Sequence, residues 1–295
     1  MNVLVKSRSG LGDAIIAYNL AYALCRVYEF HDIYLHVPTK YAQLFHSGPA
    51  RVITTVPKVS FEIFFNMDSN APRTVKARKV IDCNDKWWGL ETHSYPVTMF
   101  LNKVNQGHLK VKSPLPIKHH IYPKKSSNIV FCNSSKEDVK CFSPDVEQKF
   151  LKTLSSKLPA RRSLIEVVGG QLDTYENLKR VVDARGESID DLARRIYNGT
   201  IFIGVDSGPM HMASSLGTFT IGIFGPTDWR TWLPPGRGAQ HIKVGNCIEC
   251  LKQRKDSPVC KMEVKCMDTI DIHRAINEIF VMWRERAEWL RHRVQ

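Results

Sequence analysis

At 295 residues, 43% hydrophobic and 24% charged, the chain has the balance of a soluble globular protein and the length for two domains of ordinary size. Its longest apolar stretch, residues 14–25, contains Asn19 and is too short for a membrane span, and its start lacks a small-residue cleavage site. The expectation is therefore an intracellular protein, whose 8 cysteines are thiols or metal ligands rather than disulfides.

The net charge of +13 is unevenly spread. Residues 1–127 hold 17 Lys and Arg against 8 Asp and Glu, and 7 of the 11 histidines. Such an excess on one domain argues for an anionic partner: nucleic acid, a phosphorylated glycolipid or an acidic membrane surface. Surplus lysines kept for solubility are the alternative reading.

In chain order, a strand at 3–5 leads into a loop, Ser7-Arg8-Ser9-Gly10-Leu11-Gly12-Asp13, and then a helix over about 13–28. A GxGxxG dinucleotide loop would need glycine where Ile15 stands, which argues against an oxidoreductase. The glycines allow backbone to approach a ligand closely, and Asp13 sits in the first helical turn. A strand at 33–37, a helix around 41–45 and apolar runs at 52–53, 61–65 and 80–81 continue an α/β alternation. Between residues 73 and 125 there are 11 Lys and Arg against 3 acidic residues, with Trp87 and Trp88 among them. Aromatics flanked by Lys76, Arg78, Lys79 and Lys86 could stack on bases or sugar rings, although core packing is the usual fate of tryptophan.

Residues 113–123, with three prolines and flanking lysines, read as a linker. The alternation then restarts: a strand at 128–131, a polar loop holding Ser134, Ser135, Lys136 and Lys140, a helix at 144–158 with Pro144 in its first position, and a strand at 164–168 ending on Gly169-Gly170-Gln171. Ser188 and Asp191 resemble a capping box ahead of the stripe Ile189, Leu192, Ala193 and Ile196. Residues 201–205 and 218–224 are short apolar runs suited to strands buried on both faces. Between them Pro209 fits a helix start, Ser207 or Gly208 its cap and Gly217 its end. Asp206-Ser207-Gly208 thus lies after a strand and before a helix, where unpaired backbone N–H groups favour an anion such as a diphosphate.

The wording of that stretch, VDSGPMHMASSLG followed by GIFGPTD, closely resembles the signature of glycosyltransferase family 9, the heptosyltransferase-like enzymes. SGLGDAIIAYNLAYAL resembles the same family's amino-terminal element, without the proline that often follows on the first helix. The resemblance implies a GT-B architecture: two Rossmann-like α/β domains facing across a cleft, at 1–125 for the acceptor and 126–270 for a nucleotide-sugar, with a terminal helix at 271–295 crossing back to the first. By this resemblance Asp13 is the general base. Ser134, Ser135 and Lys140, with Lys136 competing for the lysine's role, would bind the leaving diphosphate together with Asp206, Ser207, Gly208, Pro209 and His211. Gly170 and Gln171 would lie near the ribose. Residues 185–187 fall where the family reads the base, but differ from its usual pattern. Acceptor contacts would come from Arg8, Gly12, Lys76, Arg78, Lys79, Lys86, Trp87 and Trp88.

The implied reaction is an inverting, metal-independent sugar transfer from a nucleotide-diphospho-sugar to a hydroxyl of an anionic acceptor. By family frequency that acceptor is a lipopolysaccharide-core glycan, and the protein is expected in the bacterial cytoplasm, peripheral at the inner membrane. Duplex DNA carrying a hydroxylated base is the alternative acceptor; a nucleotide-sugar epimerase and a non-catalytic nucleic-acid-binding module are the other readings. The spacing Cys247-x2-Cys250-x9-Cys260-x5-Cys266 could bind a structural zinc or hold reduced thiols. Residues 271–292 form an amphipathic helix with Ile272, Ala275, Ile276, Ile279, Phe280, Trp283, Ala287 and Leu290 on one side.

Overall fold

The computed structural model describes residues 2–27, 32–68, 75–82, 96–102, 128–158, 163–169, 178–235, 238–245, 260 and 262–291. The expected linker at 113–123 lies outside them, as do Lys86, Trp87, Trp88, Gly170, Gln171, Cys247 and Cys250. The chain divides into two compact units, Met1–Tyr122 with Arg230–Pro235, and Pro123–Trp229 with Gly236–Gln295.

In the first unit a parallel sheet runs in the order β3-β2-β1-β4-β5, built from β1 (Asn2–Lys6), β2 (Asp32–His36), β3 (Arg51–Ile53), β4 (Phe61–Asn66) and β5 (Ala77–Asp82). Val3, Leu4 and Val5 of the central strand are fully buried, which is why β1 reads as an unbroken apolar run rather than an alternating one. Helix α1 (Leu11–Val27) is apolar nearly all round and its middle turns are buried. Its Tyr18 stacks on Phe45 with ring centroids 5.1 Å apart. Phe45 belongs to a 3-10 turn, Gln43–Phe45, that continues the short α2 (Thr39–Ala42). On α3 (Pro96–Asn102), Phe100 meets Phe65 of β4 edge to face.

The second unit carries a six-stranded parallel sheet in the order β11-β10-β9-β6-β7-β8. Its strands are β6 (Ile129–Cys132), β7 (Ile165–Val167), β8 (Val181–Asp183), β9 (Ile201–Val205), β10 (Phe219–Phe224) and β11 (Ala239–Lys243), joined by α4 (Pro144–Ser156), α5 (Ile189–Asn198), α6 (Gly208–Ser215) and α7 (Trp229–Trp232). All residues of β6, β9 and β10 are buried. The terminal helix α8 (Ile272–Arg291) follows a 3-10 turn at Cys266–Thr269. Asp271 caps it by accepting the Arg274 backbone N–H at 3.0 Å.

Helix α8 groups with the second unit, and its Ala275, Ile276 and Ile279 join the core that holds Phe131, Phe150, Ile203 and Ile221. Arg230–Pro235 groups with the first unit. Strands β8 and β11 were not expected at all. Both are edge strands with polar or exposed residues, so they lack the apolar run that marks a central strand.

Candidate functional site

Each sheet reverses its strand order once. In the first unit, β2 and β3 extend one way from β1 while β4 and β5 extend the other; in the second, β7 and β8 lie on one side of β6 and β9, β10 and β11 on the other. Loops leaving the carboxyl ends of the two strands at such a point diverge to opposite faces, and the crevice between them is where open parallel sheets bind ligands. In the second unit those loops are the one after β6, with Ser134, Ser135 and Lys140, and the one after β9, with Asp206 and Ser207.

The β6 loop is closed by one side chain. Asn133 accepts the Phe142 N–H at 2.8 Å, and its amide donates back to the Phe142 carbonyl at 3.2 Å and to the buried Glu147 of α4 at 2.8 Å. Residues 134–141 are thereby folded into a short excursion ending in a 3-10 turn, Asp138–Lys140. That excursion brings Lys140 Nζ to 3.1 Å from Asp206 Oδ2 and to 3.1 Å from Glu137 Oε2. Ser135 Oγ donates to the Asp206 carbonyl at 3.2 Å and lies 3.4 Å from the same Glu137 Oε2. His211 Nε2 is 4.0 Å from Asp206 Oδ1.

Burial works against the Lys140 ammonium, but the Asp206 and Glu137 carboxylates outweigh it and its pKa is raised. Burial also dominates at His211, holding its pKa down at about 4 despite Asp206, so the imidazole is neutral at pH 7. Cys132, at the end of β6, is fully buried and its thiol is pushed up to about 12, which makes it packing rather than a nucleophile.

Ser207 caps α6 by position, and its side chain makes no cap hydrogen bond. Its side chain hydrogen-bonds with the Cys132 thiol, while the buried Thr227 hydroxyl after β10 has no hydrogen-bond partner among the described residues. Gly208 and Pro209 open the first turn of α6, in which the Met210 and His211 N–H groups donate to the Ser207 carbonyl, and the amino end of the helix directly follows the β9 loop. Gly169, with φ of +115°, passes so close to Ser134 that a Cβ there would sit 2.7 Å from the serine Cβ. Beyond β8, Arg185 chelates Asp183 through two bonds of 2.7 and 2.6 Å, and this holds the Asp183 carboxyl below its ordinary range.

In the first unit the reversal lies between β1 and β4; Arg8 is in the loop after β1, and Gly12 and Asp13 are in the first turn of α1 that follows. Asp13 folds back over Gly10, where a Cβ would lie 2.8 Å from its Oδ2. Lys6 at the end of β1 pairs with Asp68 at 3.8 Å. Lys76, Arg78 and Lys79 are exposed along or just before the edge strand β5, and Arg78 pairs loosely with Glu62 at 3.4 Å. Of the four clustered cysteines Cys260 and Cys266 are described, Cys266 being buried, and among the described residues no group of three or more His, Cys, Asp or Glu is placed to hold a metal.

Residues 101–262, more than half of the chain, match the family described as glycosyltransferase family 9 (heptosyltransferase). The chain belongs to glycosyltransferase family 9. It is a glycosyltransferase. Among solved structures it is similar to the family 9 glycosyl transferase of Veillonella parvula, 16% identical, covering 96% of this chain and 97% of that one with a TM-score of 0.69. It also resembles E. coli ADP-heptose lps heptosyltransferase II, at 14% identity, 97% and 100% coverage and a TM-score of 0.67. E. coli heptosyltransferase WaaC with ADP is similar at 15% identity, 86% and 98% coverage and a TM-score of 0.65. At these identities the likeness is one of fold, and two parallel α/β units are the GT-B pattern of those enzymes. No curated protein matches by sequence. No helix among the described residues is long and apolar enough to cross a membrane.

Sequence reasoning thus named most members of the family 9 enzyme's second-unit cluster, and missed Glu137, Asn133 and Thr227. Glu137 was hidden because a polar loop offers several acids and lysines at once. The one that returns to Lys140 is selected by the Asn133 clamp.

Proposed function

We propose that this family 9 enzyme transfers a sugar, with inversion, from a nucleotide-diphospho-sugar to a hydroxyl of an anionic lipopolysaccharide-core-type acceptor. The observation that carries the reading is the convergence of Ser135, Lys140, Asp206, Ser207 and the start of α6 at the strand-order reversal of the second sheet, inside the family-matched region. As the glycosidic bond to the diphosphate breaks, negative charge grows on the leaving oxygen. Lys140, the Ser135 and Ser207 hydroxyls and the N–H groups leading α6 would meet that charge, so a catalytic metal is not required. Asp206 acts through Lys140, which it holds in place, since a carboxylate would repel a phosphate directly. His211, kept neutral, can donate one N–H without adding charge. Asp13 would take the proton of the attacking hydroxyl.

Two of the similar solved structures carry ADP or ADP-heptose in their descriptions, which makes ADP-heptose the first donor to try. The test is a transfer assay with a panel of nucleotide-sugars, each with and without a phosphorylated inner-core glycolipid. Transfer that requires the glycolipid supports the reading. Turnover of a donor alone into an epimer, or no turnover of any donor, would refute it.

A further inference from the structure

Within the cluster after β6, one oxygen does two things. Glu137 Oε2 lies 3.1 Å from Lys140 Nζ and 3.4 Å from Ser135 Oγ, the two side chains best suited to grip a phosphate oxygen. A carboxylate oxygen has the charge and acceptor capacity of a phosphate oxygen, and here it has the same two partners. We propose that Glu137 is an internal competitor for the diphosphate position, and that the donor binds by displacing it from Ser135 and Lys140. This rests on the reading of those two residues as diphosphate ligands.

The two carboxylates on Lys140 differ in mobility. Asp206 is buried, with its side chain 5% exposed, and is tied down further because its carbonyl accepts from Ser135. Glu137 is 27% exposed, precedes the Asp138–Lys140 turn with extended backbone, and can rotate into water without disturbing β6 or β9. When Glu137 leaves, Lys140 keeps its pair with Asp206 and gains the incoming phosphate oxygen, so the buried ammonium is never left without an anion. Charge gives the displacement its direction. With Lys140 positive, Glu137 and Asp206 negative and His211 neutral, the cluster carries one net negative charge. Moving Glu137 away leaves the neutral Lys140–Asp206 pair facing a ligand of at least two negative charges. The arrangement also favours product release, because the returning carboxylate competes with the nucleoside diphosphate for the same two groups.

Titration calorimetry with inorganic pyrophosphate and with ADP tests this on the full chain. Glu137→Ala should bind both about 5- to 10-fold more tightly than the parent, as expected if Glu137 occupies the position in most molecules. Asp138→Asn removes an equal charge one residue away, from a carboxylate paired with Lys265, and should stay within about 2-fold of the parent. An unchanged or weakened affinity in Glu137→Ala, with an unaltered melting temperature, overturns the proposal. So does an equal gain in Asp138→Asn, because the effect would then be general charge rather than occupancy. Lys140→Met separates the two levels of the argument: if the parent binds both probes and Lys140→Met binds them equally well, the diphosphate reading itself fails and Glu137's role falls with it.

Discussion

At the scale of single residues, function turns on how burial and pairing set charge. Asp13→Asn keeps the shape of the first helical turn and removes the carboxylate proposed as base, so transfer should fall ~100-fold or more while nucleotide affinity hardly moves. More than a tenth of parent activity would reject that role. His211 gives a prediction about stability. Its folded pKa of about 4 lies below the ordinary 6.5, so between these values the unfolded chain binds a proton that the folded chain refuses. Stability is therefore complete above about pH 6.5 and is lost as the pH falls towards 4, by on the order of 3 kcal/mol. In His211→Gln the urea midpoint should change less between pH 7 and 4.5 than in the parent. Parallel losses in both proteins would show that another group is responsible.

At the scale of elements, the site is held by how closely β6 and β9 approach. Gly204 pairs with Cys132 on one side and Gly222 on the other, and a Cβ on it would lie 2.8 Å from the Cys132 carbonyl oxygen and 2.8 Å from the Phe202 ring. Backbone of a neighbouring strand cannot swing aside as a surface side chain can. Gly204→Ala should cost ~1–3 kcal/mol and weaken nucleotide binding too, because Cys132 leads directly into Ser134 and Ser135. A denaturant midpoint and ADP affinity equal to the parent's would show that the strands tolerate wider spacing. The α5 cap follows sequence logic in part. Ser188 Oγ accepts the Asp191 N–H at 3.2 Å, but the Asp191 carboxylate turns back to that same hydroxyl at 2.7 Å, being one methylene shorter than the usual Glu.

At the scale of the molecule, the asymmetry of charge bears on the acceptor. Lys76, Arg78 and Lys79 are all exposed on the first unit, and the Arg78 pair with Glu62 at 3.4 Å is a surface one that a polyanion can compete for. A phosphorylated glycolipid would use that surface without needing a long run of phosphates. Duplex DNA would contact several, and its affinity would fall with log salt at a slope near −0.9 per phosphate. We expect no measurable duplex binding at ~50 mM salt. Sub-micromolar binding with a steep salt slope, abolished by neutralising those three residues, would shift the acceptor to DNA.

Much of the second unit was legible because its central strands are buried on both faces and leave continuous apolar runs, as at 201–205 and 219–224. Helix α6 was bracketed correctly by Pro209 and Gly217, the latter at φ of +77° where only glycine is unstrained. Edge strands β8 and β11 were not legible, since half-covered strands need few apolar residues. The apolar stripe of the terminal helix was legible as a packing face, and the structure adds that Ala275, Ile276 and Ile279 join the core of the second unit. By itself the sequence determined the α/β class, the family and most of the residues that the loops after β6 and β9 bring together, because motif and period are local properties. Only the tertiary structure decided that Asn133 closes the loop, that Lys140 is shared by Asp206 and Glu137, and that His211 is neutral. Each of those depends on which distant groups are brought within a few ångströms and out of water, and no spacing along the chain encodes that.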